Sequence, residues 1–158
     1  MNEATDRFTS DDAITEILAD WRRRLRAASD GTPARQGVRG QRERSLARAL
    51  LAAAAAPENT PQATETLGKL AMIAALYGAN QPRERLDPGA LCDELAHLRQ
   101  AVWHYLKRKR LETDVATKRI LAFDRALRLA IRAAVTGGFQ CEAGESALKE
   151  GQVMGPTS

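Results

Sequence analysis

The sequence predicts an all-α fold: a bundle of about five amphipathic helices with a flexible C-terminal tail. Two observations carry this. Hydrophobic residues make up 44% of the chain while aromatics make up 4%, an alanine-heavy balance that suits helices packed through small side chains better than a β-sandwich. Apolar residues also recur at helical spacing in five segments, each bounded by proline, glycine or a capping side chain. Strand alternation and internal repeats are both lacking.

Residues 1–9 read as a disordered N-terminus. Ser10 can cap a first helix, with Asp11 and Asp12 in the first turn where the helix dipole favours acid. Ile14, Ile17, Leu18, Trp21 and Leu25 then keep helical period, and Arg22, Arg23, Arg24 and Arg26 crowd the C-terminal end. The helix stops near Asp30-Gly31-Thr32-Pro33. A loop bearing Gly31, Pro33, Gly37 and Gly40 leads to a second helix from about Gln41 to Ala56, with Leu46, Leu50 and Ala53 inward and Pro57 as its stop. The alanine run Ala52–Ala56 is a strong helix former that lets a neighbour approach.

Thr60-Pro61 is a cap followed by proline at the first helical position. It opens a third helix through Leu67, Leu70, Ala71, Ile73, Ala74 and Tyr77, closed by Gly78. Asp87-Pro88 repeats the signal, and Leu91, Leu95, Leu98, Val102 and Leu106 draw one apolar stripe down a fourth helix. Thr113 or Asp114 starts a fifth, where Ile120, Phe123, Leu127, Ala130, Ile131 and Ala134 keep the period until Gly137-Gly138. After Phe139 the pattern fades. The expected organisation is therefore a helical domain over 10–139 and a flexible tail or truncated linker over 140–158.

With 158 residues the chain is one domain by length. The net charge of +4 is mildly basic and scattered over several segments. Nucleic acid is thus permitted without being the expected partner. Cys92 and Cys141 are too few for a disulfide framework and too distant for a metal knuckle. Cys92 reads as a small core residue and Cys141 as a free thiol in the tail. A signal peptide and a membrane-spanning apolar run are both missing, which predicts a cytoplasmic chain without membrane partners.

His97 and His104 are the only histidines, two turns apart on the fourth helix. A phosphoacceptor role is the alternative reading for either, although Gln100-Ala101 does not supply the context of known phosphotransfer histidines. A haem pocket would need more aromatics. Neither histidine has metal-helix spacing, no glycine-rich phosphate loop is present, and Ser10, Ser29 and Ser45 lack triad partners. No cofactor and no catalysis are expected. The run Lys107-Arg108-Lys109-Arg110 lies at a helix C-terminus, where cations complement the dipole; as a nucleic-acid contact it supports a second alternative, a basic helical regulator.

Arg99 sits beside the apolar stripe, so its stem can pack while its head seeks a carboxylate. Glu94 is a poor partner at five residues' distance on the same helix, so each looks to another helix, and Asp124 is the preferred partner of Arg99. Trp103 and Tyr105 flank the line through Val102. With Val102 they predict a second contact surface, most simply a two-fold homodimer interface anchored by Trp103.

Several of these segments together resemble the N-terminal sensor domain of RsbR/RsbD-type co-antagonists of stressosome signalling. The likeness rests on Ile17-Leu18-Ala19-Asp20-Trp21 followed by arginines, the turn Gly78-Ala79-Asn80-Gln81-Pro82-Arg83, and the helix Glu94-Leu95-Ala96-His97-Leu98-Arg99. The closing helix adds Asp124-Arg125-Ala126-Leu127 and the small-residue run into Gly138-Phe139. It spans residues 14–139, and 32–59 match little. The resemblance implies a helical, non-enzymatic, dimeric bacterial input domain of stress signalling that regulates a partner protein or a C-terminal effector. No effector follows here, so the expectation is either an excised input half or a domain acting alone on a partner.

Overall fold

The computed structural model describes residues 8–28, 38–80 and 88–153; for 38–39 and 138–153 only the helical backbone is described. Five helices follow in order: α1 (Asp11–Ala28), α2 (Val38–Ala55), α3 (Pro61–Ala79), α4 (Pro88–Arg108) and α5 (Thr113–Val153). The described residues contain no strand. The all-α expectation holds.

The caps do what their chemistry allows. Ser10 Oγ accepts the Ala13 N–H at 3.2 Å. Thr60, with extended backbone at φ −111° and ψ 157°, accepts the Ala63 N–H through its hydroxyl and places Pro61 at the start of α3. Asp87, expected to cap α4, lies outside the described residues, as do the loop glycines 31 and 37 and the turn residues 81–83. Asn59 and Arg110 adopt left-handed backbone, at φ 60° and 51°, in the two short connections.

Helices consecutive in the chain run in opposite directions. Arg48 meets Asp11 at 2.7 Å while Arg22 meets Glu43, so α2 is antiparallel to α1. Arg24 reaches Gln100 and Lys109 reaches Glu16, which sets α4 antiparallel to α1. Short connections reverse the chain between α2 and α3 and between α4 and α5. It follows that α1, α3 and α5 share one direction, and α3 and α5 form the most extensive contact in the bundle.

That contact is made without side chains at its tightest points. A Cβ on Gly78 would lie 1.8 Å from the Ala134 carbonyl oxygen, and one on Gly137 would lie 2.3 Å from that of Ala75. Both glycines are buried inside helices, and both correct the sequence reading. Gly78 does not close α3, which continues to Ala79 and is tied off by the Asn80 N–H on Leu76 O at 3.0 Å. Gly137-Gly138 does not end α5, which runs on to Val153. A glycine costs a helix about 1 kcal/mol relative to alanine, and the close approach of the α3 backbone supplies its use here.

The core gathers Ile14, Ile17, Leu18 and Trp21 of α1, Leu46, Leu50 and Leu51 of α2, Leu70 and Ala74 of α3, Leu95, Leu98 and Leu106 of α4, and Phe123 of α5. Phe8 joins it at 3% exposure, with the Arg119 guanidinium 5.2 Å from its ring centre; burial lowers the Arg119 pKa. A frayed N-terminus therefore cannot include Phe8. Two more readings change. Cys92 is exposed, because it sits off the Leu91–Leu95–Leu98 line, and Leu67 is partly exposed near the start of α3.

Candidate functional site

Glu94 joins three helices. Its backbone carbonyl accepts the Trp21 Nε1–H of α1 at 2.8 Å, and its carboxylate accepts the Tyr77 hydroxyl of α3 at 2.7 Å. Arg99 turns the other way, to α5. Its Nε and one terminal nitrogen donate to the two oxygens of Asp124 at 2.6 and 3.1 Å, a bidentate fork. These hydrogen bonds, opposed by partial burial and aided by the carboxylate charge, hold the Arg99 pKa above its ordinary value. This is the pair selected from the sequence. Arg99 is half-open to solvent, so the bond is screened. Asp124→Asn should cost about 1 kcal/mol in urea unfolding, and the loss should shrink in about 1 M salt; a loss indifferent to salt would remove the charge from the explanation.

The proposed interface residues are placed differently from expectation. Val102 and Tyr105 lie inside the core of a single chain, and Trp103 is partly buried against it with the Lys107 ammonium 5.2 Å from its ring centre. The reason is geometric: α4 packs on both α1 and α5, so its buried face is wider than one stripe. Val102 and Tyr105 thus cannot anchor a second chain, and Trp103 is left only partly exposed.

His97 is partly buried, with its Nδ1 shut from solvent and without a hydrogen-bond partner, whereas His104 is exposed. Among the described residues no group of His, Cys, Asp or Glu could hold a metal ion, and no described helix is long and apolar enough to cross a membrane. The run at the end of α4 is largely engaged: Arg108 and Lys109 approach Glu16 at 4.0 and 3.8 Å, and Lys109 also lies over the Tyr105 ring. The arginines closing α1 are engaged too. Buried Asp20 takes Arg23 and Arg24, each at 3.3 Å, although Arg24 Nε is not aimed to form a hydrogen bond there.

What sequence reasoning missed is the outward side of α3. This is the most apolar of the five helices, yet Met72 and Leu76 are 65% and 57% exposed. They continue a line with Glu65 and Lys69 at steps of four, three and four, so all four share one side. The spacing is readable in the sequence, but periodicity alone does not say whether another helix covers that side. No family model, curated protein or solved structure matches this chain.

Proposed function

We propose that the chain is a non-catalytic signalling input module of the kind its RsbR/RsbD-like segments imply, working in the cytoplasm by helix packing and self-association to regulate a partner protein or effector. One observation carries this reading: α3 turns Met72 and Leu76 to solvent. Its only charges, Glu65 and Lys69, pair with each other at 3.0 Å, so this side is neutral on a chain of net charge +4. Two like-charged copies meet there with least repulsion, most simply across a two-fold axis. Any signal that shifts the packing of α3 on α5 then alters what the dimer presents.

Sedimentation equilibrium at micromolar concentration should show a dimer. Met72→Glu with Leu76→Glu should give a monomer of unchanged helicity, since neither side chain supports the core. A parent protein that is strictly monomeric defeats the proposal. A histidine-bound phosphoryl group after incubation with a phosphodonor, placed by mass spectrometry on the exposed His104, would replace it with phosphotransfer.

A further inference from the structure

We infer that the solvent face of α5 binds the phosphate backbone of a nucleic-acid duplex. This goes beyond the self-association reading and does not depend on it. Lys118, Leu121, Arg125, Arg128 and Arg132 follow one another at steps of three, four, three and four, and all five are exposed. They form a single stripe about 21 Å long on the side of α5 away from the core. Charge that looks scattered along the sequence is collected by the helix onto one line.

No acidic residue interrupts the stripe; Asp114 stands one turn before Lys118, at its N-terminal end. Asp124 is the one acidic residue between Val115 and Cys141, and it is turned to Arg99. Arg125 shares Glu58, while Lys118, Arg128 and Arg132 have no carboxylate partner among the described residues. The contrast with Lys107–Arg110 is direct, since Glu16 and two aromatic rings already occupy much of that run.

The composition of the stripe selects the partner. Three of its four cations are arginine, whose forked donors match phosphate oxygens in pairs. Leu121 is its only large apolar residue, too little for the desolvated centre of a protein interface or for insertion into a membrane. A line of cations about six base-pair steps long suits the charge density of a duplex, where counterion release supplies the driving force.

The test is anisotropy of a short labelled duplex between about 50 and 200 mM salt. The parent protein should bind with an affinity that falls steeply as salt rises. The triple variant K118Q/R128Q/R132Q should bind about tenfold more weakly or worse, with a salt slope lower by about three. The control R26Q/R42Q/K107Q removes the same charge elsewhere and should change affinity less than about threefold. Charge reversal in Arg128→Glu alone should weaken binding in the same direction, and R128K/R132K should keep most of it. Absence of salt-dependent binding, or equal losses from the two triples, overturns the inference. So does tighter binding to phosphatidylserine vesicles that the first triple abolishes, which would assign the stripe to a lipid surface.

Discussion

Replacing Trp21 with alanine should lower the unfolding free energy by about 3–5 kcal/mol, the usual range for deleting a buried large aromatic. The indole is fully buried on α1 among the largest side chains of the core, so the substitution leaves a cavity that the neighbouring helices α2 and α4 cannot close without shifting. It also removes the 2.8 Å hydrogen bond from Nε1 to the Glu94 carbonyl. Trp21→Phe separates the two effects: it keeps most of the ring, loses the donor, and should cost less, with about 1 kcal/mol of the loss due to the bond. Chemical denaturation measures both, provided the slope with denaturant stays that of the parent. An alanine variant within about 1 kcal/mol of the parent would place Trp21 outside the core.

The second large effect is a contrast in sign. Gly78→Ala should destabilise by about 3 kcal/mol or more, at or above the upper end for overpacking. The atoms in the way are the backbone of Ala134, at 1.8 to 2.8 Å from the added Cβ, and a backbone cannot rotate aside as a side chain can. Relief requires α3 and α5 to separate, which also loosens the neighbouring approach of Gly137 to Ala75. Gly68→Ala, ten residues earlier on the same helix, meets nothing within 4 Å. It should stabilise by up to about 1 kcal/mol through helix propensity alone. Thermal or urea unfolding of the two variants should move in opposite directions, and a shared direction would contradict the tight crossing.

Much of this architecture is legible in the sequence because it is local. Ser10 and Thr60 fix helix starts through bonds three residues long, and the 3.6-residue period places Trp21, Leu98 and Phe123 inside. Even Arg99 with Asp124 follows from phase, because each lies just off its helix's buried line. The misreadings come from long-range geometry. Gly78 and Gly137 look like stops until another backbone is known to pass where their side chains would be. Tyr105 looks surplus to one stripe until α4 is found with neighbours on two sides. Tyr77 and Glu94 carry no mark of their pairing, since they lie on different helices and only the tertiary arrangement brings them together. The outward stripes of α3 and α5 are periodic, and so readable, but periodicity alone does not say which side of a helix is left uncovered.

The Glu94 junction has a consequence for how this fold can be interrogated. It holds Tyr77 through its side chain and Trp21 through its main chain. A substitution scan along α4 would therefore register only what the Glu94 side chain holds, Tyr77 included, and a mild result there would look like a tolerant position. The tie to α1 is invisible from that side, because every amino acid at 94 presents a carbonyl. It can be cut only from the indole end, so the helix that appears to own the junction is not the one whose mutation reveals it.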